Sequence, residues 1–390
     1  MNGERQTGSP RKTSFSGIDM IEKGNLVKNL QSLIRIPSFM DSTAVSKWIK
    51  NELEGLGYEV WSDSDGNLIA ETGKGPGFIL NAHMDTVEAG DGWKHDPFGG
   101  EIENERIYGR GASDCKAGIA SMLEIARYFK KNPPERRVVF TFTSYEEGYP
   151  LEKNGLYKIL PKLKNIEKGL ILEPTTKGNK IGIAFGCRGS MRYRLEINGR
   201  KGHSAYLPHS ANPIYLLPGF LGALSSAPSR KLKIPSIGAE IEDANTVTEV
   251  RAHEGRNVVP SKCVVSIDRR ALPDELPEEY YETLKSICRK SLGTRFMLRQ
   301  VSGMQGYLFE DRDFIDMCSD AVKSAGFVPE PRFEMARIDS CILYNFAKIG
   351  TFMMGPGDIG QAHQLDEYCE IEGLVKATEA VLNVILFNHE

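Results

Sequence analysis

No stretch of this chain reaches the ~18 uninterrupted apolar residues that a membrane-spanning helix requires. Its first 17 residues, MNGERQTGSPRKTSFSG, are polar and lack an apolar h-region, so they read as a flexible tail and not as a signal peptide. Neither sign of charge is in surplus. Against 49 Lys and Arg stand 52 Asp and Glu, and a net charge of -3 draws the chain to neither nucleic acid nor an anionic membrane. Cysteine is sparse and unpaired. The seven residues, Cys115, Cys187, Cys263, Cys288, Cys318, Cys341 and Cys369, form no CxxC, which excludes a zinc ribbon and a disulfide framework and points to a reducing cytosol. HExxH is absent too, and with it the proteases that carry zinc on one helix. What remains, 40% apolar and 26% charged residues over 390 positions, is the composition of a soluble cytoplasmic protein of two or three domains.

Apolar periodicity predicts helices over 24–36 and 42–56, the second closed by Gly57. Short apolar runs follow at 78–80, 137–143, 169–172 and 350–354, with a helical pattern over 115–131 between the first two. Continuous apolar strands alternating with helices predict an α/β fold with a mostly parallel sheet buried on both faces. The middle of the chain reads differently. An alternating strand over 191–197 ends at the turn signal Asn198-Gly199. A helix over 212–225, strands over 246–253 and 262–270, a helix over 278–292 and a strand over 295–301 follow. This β-α-β-β-α-β order is ferredoxin-like. The expected organisation is a catalytic domain split into 1–187 (with 1–17 as the tail) and 301–390, into which a smaller α+β domain, 188–300, is inserted.

Acids and histidines collect where the predicted strands end. His83 and Asp85 follow the first run, Glu146 and Glu147 the second, Glu173 the third, and His363 lies in GPGDIGQAH after the last. Ligands of open parallel sheets bind outside the carboxyl ends of the strands, so four strands deliver metal-ligand residue types to one edge. Each has a bland reading as well. His83 and Asp85 suit a polar pair at a strand end, although two-residue spacing also lets Asp85 orient a ligating imidazole. Asp114 suits a helix N-cap. Glu146-Glu147 alone would be solvated surface, whereas beside a metal one carboxylate binds and the other moves a proton. Gly109 and Gly111 superficially resemble a dinucleotide loop, but Asp114 occupies the third glycine position, where a pyrophosphate would meet negative charge.

The motifs NAHMDTV, YGRGASDCKAG, SYEEGY, LEP and GPGDIGQAHQLDEY, in that order, resemble the acetylornithine deacetylase, succinyl-diaminopimelate desuccinylase and aminoacylase family, over nearly the whole chain from Gly24. That resemblance implies a dinuclear zinc hydrolase with a zinc-exopeptidase-like catalytic domain and a ferredoxin-like dimerisation or lid domain. His83 and Glu173 would hold one metal, Glu147 and His363 the other, and Asp114 would bridge them. Glu146 would be the general base and Asp85 would orient His83. Zinc is the default ion, with cobalt or manganese also suited to such N/O sites. In NGRKGHSAYLPHSANP, His203 matches a histidine that crosses a homodimer to steady the oxyanion, where the residues alone suggest a surface loop. Asn257, in GRNVVPSKC, and Arg270, in IDRRALP, match substrate contacts, the arginine binding a carboxylate; Arg269 is the competing choice.

The chain also departs from the pattern. Tyr145 stands where an Asp often precedes the Glu pair, Glu88 replaces a Pro, Cys115 replaces a Met, and residues 335–339, MARID, keep only the Asp of a Gly/Thr-rich loop. The expected activity is hydrolysis of the amide bond of N-acyl amino acids. The alternatives are a dipeptidase or carboxypeptidase on the same scaffold, release of an amino acid from a carrier protein, and a non-catalytic binding protein.

Overall fold

The computed structural model describes residues 21–387, so the N-terminal tail expected over 1–17 lies outside the described residues. A sheet of ten strands forms the larger unit. At its centre Arg137–Thr143, Gly77–His83, Ile166–Ile171 and Gly350–Met353 lie side by side, all parallel. Every residue of Gly77–His83 is buried, as a continuous apolar run between two parallel neighbours demands. The flanks differ from the mostly parallel sheet expected from the sequence. Val60–Ser62 and Leu68–Thr72 add antiparallel on one side, and Lys180–Cys187 meets Gly350–Met353 antiparallel on the other. The sheet is therefore mixed, since antiparallel neighbours need no crossover helix between them.

Alternate residues of Gly77–His83 feed two cores. Phe78, Leu80 and Ala82 join the cluster beneath helices Lys23–Ile34, Lys116–Lys131 and Ile371–Leu386. Ile79 faces the opposite cluster with Leu156, Ile159, Ile342 and Leu343. Helix Lys116–Lys131 packs so closely that a Cβ on Gly118 would lie 2.0 Å from the carbonyl oxygen of Leu172. Only glycine permits that approach, which sets the helix start against the end of the strand that carries Glu173.

The chain leaves this sheet after Cys187 and returns at Tyr307, and those two residues are paired antiparallel neighbours. Between them lies a four-stranded antiparallel sheet in the order Ala244–Arg251, Lys262–Ala271, Gly189–Asn198, Phe296–Met304. Helices Leu217–Ser225 and Pro277–Leu292 cover one face, burying Met191, Tyr193, Leu195 and Ile197 while Arg192 and Arg194 point away. The strand and helix order matches the ferredoxin-like pattern read from the sequence. The last strand runs to Met304, beyond the 301 expected for it, and the helix expected over 212–225 is helical in the α sense only from Leu217, after a 3-10 turn at Pro213–Leu216. A hairpin of Lys231–Ile234 and Ala239–Glu242 buries Ile234 and Ile241 in the core of the larger unit.

Candidate metal centre and its cavity

The four central strands end at one edge, and there the structure brings His83, Asp114, Glu147 and His363 together. His83 Nε2 lies 2.9 Å from Asp114 Oδ1, while the other oxygen of Asp114 lies 3.6 Å from His363 Nε2. His363 Nε2 is in turn 3.0 Å from Glu147 Oε1. One carboxylate thus faces two imidazoles, one with each oxygen. Asp114 does not cap the following helix, which begins without a side-chain cap. Asp85 reaches His83 by its backbone: Nδ1 donates to the Asp85 carbonyl at 2.9 Å, and the carboxylate stands 3.7 Å away. A carbonyl only accepts, so Nδ1 carries the proton and Nε2 is presented to the site. The Asp85 carboxylate accepts the backbone N–H of Glu146 and Glu147, at 3.3 and 3.0 Å, and so fixes the turn that presents both glutamates.

Glu173 is buried in the wall of the same cavity. Burial, reinforced by the charge of Glu146, pushes its carboxyl well above the usual range. Burial likewise raises Glu146, to about 8, against the opposing charge of Arg337. Asp114 is the exception. Burial works against its ionisation, yet the hydrogen bond from His83 holds it below the usual carboxylate range. For His83, burial alone would lower the pKa, but the hydrogen bond to ionised Asp114 and the charge of that carboxylate work in the opposite direction and carry it above. Cys115 lies within 4.8 Å of the His83 and Asp114 donor atoms, but burial pushes its thiol up to about 12 and it donates to the His83 carbonyl. It is a protonated packing residue.

The donor set of imidazole nitrogens and carboxylate oxygens, crowded and partly buried, suits borderline divalent ions such as zinc. Two groups of potential ligands share Asp114: His83, Asp114 and Cys115, and Asp114, Glu147 and His363.

Above these residues lies a cavity of about 640 Å³, large enough for an amino-acid derivative. Its far wall is the four-stranded sheet, including Ser190, Arg192 and Arg270. The two candidate arginines separate cleanly. Arg269 is buried, bonded to Asp243 and Glu275 at 2.6 Å each, and stacked 4.1 Å over Tyr280. Arg270 is half-buried, faces the cavity and is held by Asp268 at 2.8 Å. His203 and Asn257 do not line the cavity. They are exposed and bonded to each other at 3.1 Å, on adjoining short strands and loops of the inserted unit.

Three features escaped the sequence reading. Arg337 Nη2 donates to Glu146 Oε1 at 2.7 Å. Glu367 accepts the backbone N–H groups of Gly111, Ser113 and Asp114 and an ion pair from Arg110. Tyr145 has a left-handed backbone, φ 65°, immediately before Glu146, and packs edge-on against Tyr149. Asp tolerates that conformation better than Tyr does. The available signals were the departures in MARID and SYEEGY and the unassigned Glu of QLDEY.

A catalytic scaffold built around a carboxylate shared by two histidines defines a metal-dependent amidohydrolase. Residues 79–386 match the family described as Peptidase family M20/M25/M40, and the chain belongs to that family. It is 30% identical over 388 residues to a succinyl-diaminopimelate desuccinylase of Rhodospirillum centenum, covering 91% of this chain and 95% of the relative. Among solved structures, an M20 family metallo-carboxypeptidase from Sulfolobus solfataricus superposes with a TM-score of 0.76 at 18% identity, covering 93% of this chain and 98% of that one. YXEP of Bacillus subtilis, a dinuclear metal-binding peptidase of the M20 family, does so with 0.71 at 18% identity, covering 93% and 97%. At such identity these structures speak for the fold alone. Among the described residues no helix is long and apolar enough to cross a membrane.

Proposed function

We propose that this chain is a two-metal hydrolase that cleaves the amide bond of N-acyl amino acids. The observation that carries the reading is Asp114, whose two oxygens face His83 and His363 beside the Glu146-Glu147 pair. His83 and Glu173 would hold one ion, Glu147 and His363 the other, with Asp114 between them and Asp85 fixing the His83 tautomer. Zinc is the first candidate, cobalt and manganese the next. The chemistry such ions supply when bound is polarisation of the scissile carbonyl and a fall in the pKa of water toward ~7.

Glu146 takes the proton of the attacking water and delivers it to the departing amine, both transfers open to a carboxylate at the cavity wall beside the ligands. Arg270 anchors the α-carboxylate from the inserted sheet, which favours single amino-acid derivatives over long peptides. His203 and Asn257, turned away from their own cavity, act in a homodimer: His203 of the partner subunit donates to the developing oxyanion. We place the inserted unit as the dimerisation and lid domain and the protein in the cytoplasm.

The test is amine release from N-acetylornithine, N-succinyl-diaminopimelate, N-acetylmethionine and several dipeptides, with zinc or cobalt added and with chelator. Metal-dependent release from an acyl compound supports the reading. Release from dipeptides alone would move the protein to the peptidase side of the same scaffold. Silence across the panel with metal bound would leave a carrier-linked substrate or a binding role.

A further inference from the structure

Arg337 lies in the loop between strand Val328–Glu334 and helix Ser340–Ala347, where the sequence departs from a Gly/Thr-rich pattern. It borders the cavity with its side chain 20% exposed. Its two hydrogen bonds both leave from Nη2, to the carboxylate and the carbonyl of Glu146, at 2.7 and 3.2 Å. Nη1 stands 3.8 Å from Asp339 Oδ1, and that carboxylate already accepts from Asn154 at 3.1 Å. Nε and Nη1 therefore make no hydrogen bond among the described residues. A guanidinium carries five N–H groups in a planar fork whose natural partner is a carboxylate. Here one edge is anchored and the rest is available to the cavity.

Arginines stand on two sides of a cavity that carboxylates also line. Arg192 and Arg270 project from the inserted sheet and share Asp268, at 3.7 and 2.8 Å. Arg337 stands on the other side, next to Glu146. A substrate with a single carboxylate satisfies one wall only. The remaining edge of such an arginine, beside a bound neutral group, loses hydration without gaining a partner, and sites built to bind a charged group reject analogues that lack it.

We propose that Arg337 is the specificity-determining residue of this site, a receptor for a second substrate carboxylate besides the one that Arg270 takes. This rests on the reading of the chain as an N-acyl amino acid hydrolase. The second carboxylate has two chemical sources: the far end of a dicarboxylic acyl group, or an acidic amino-acid side chain.

Isosteric pairs separate them. We would measure kcat/KM on the metal-loaded full chain for N-succinylmethionine against N-succinamylmethionine, and for N-acetylglutamate against N-acetylglutamine. The expected result is a preference of about 10- to 100-fold for the carboxylate in one pair, the size of a lost charged hydrogen bond. That pair names the source. Arg337→Met should collapse its ratio toward unity, and Arg337→Lys should restore part of it. An unchanged ratio in Arg337→Met would overturn the proposal. So would an equal fall in kcat for both members of each pair, which would make Arg337 a positioning residue for Glu146 alone. If the wild type cleaves none of the four compounds, the hydrolase reading is decided by the amine-release panel, and calorimetric titration of the same four compounds decides Arg337 separately. Tighter binding of a carboxylate member, lost in Arg337→Met, would sustain it, and equal binding would end it.

Discussion

Glu367 and Arg110 form a buried ion pair at 2.7 Å, and the same carboxylate gathers the backbone N–H groups of Gly111, Ser113 and Asp114 at 2.9 to 3.0 Å. Four donors on one carboxylate fix the loop that aims Asp114 at the two histidines. In Glu367→Gln an NH2 group would replace one of the acceptor oxygens and confront a donor. Breaking a buried, hydrogen-bonded charge pair costs about 3–5 kcal/mol. Urea unfolding of the metal-free variant should show a loss of that size, and a loss under ~0.5 kcal/mol, an ordinary surface effect, would sink this account of the loop.

Much of this was legible in the sequence because it rests on local pattern. The runs at 137–143 and 350–354 became strands Arg137–Thr143 and Gly350–Met353, and the residues after them fell at one edge because parallel strands share a direction. What was not legible depends on contacts distant in sequence. Arg337 meets Glu146 across 191 positions and Glu367 meets Arg110 across 257, and no spacing rule reaches that far. The antiparallel flanks were missed for a related reason: an apolar run carries no mark of the direction in which its strand pairs. Arg269 and Arg270 show the limit within a single strand. Adjacent residues point to opposite faces, so one is consumed by Asp243 and Glu275 and the other meets the cavity, and only the register decides which.

Glu146→Gln separates proton transfer from metal binding. The amide cannot take a proton from water, whereas the ligand types at His83, Asp114, Glu147, Glu173 and His363 remain. Turnover should fall by roughly 10²- to 10⁴-fold, the usual worth of a general base. Elemental analysis should still find the wild-type metal content. Wild-type-like kcat would remove Glu146 from the role of base, and loss of metal would make it a ligand instead.

Metal loading should release protons. Asp114 holds the His83 pKa above its ordinary value despite burial, and Glu147 does the same for His363. Both imidazoles must be unprotonated at the ligating nitrogen to bind an ion. A raised pKa in the metal-free state means that the proton competes at neutral pH and more strongly below it. Affinity should therefore weaken as pH falls through the raised pKa values. Calorimetry of zinc loading at pH 7, in buffers of different ionisation heat, should report at least one proton released per chain. No release, with metal bound, would show that these histidines are not the ligands.

The remaining prediction concerns His203 and Asn257, bonded to each other at 3.1 Å and exposed on the inserted unit. If they serve a neighbouring subunit, His203→Ala should lower kcat by ~100-fold or more with little change in KM, as removal of an oxyanion donor does. Subunits of His203→Ala and Glu146→Gln, each inactive alone, should regain activity when mixed, because one of the two cavities then receives an intact Glu146 together with an intact His203 from the partner. At full random exchange half of the dimers are mixed and each has one whole site, so about a quarter of wild-type activity is expected. Native mass spectrometry would show whether exchange has occurred. Exchange without recovery would confine the chemistry to a single chain and leave His203 as a surface histidine.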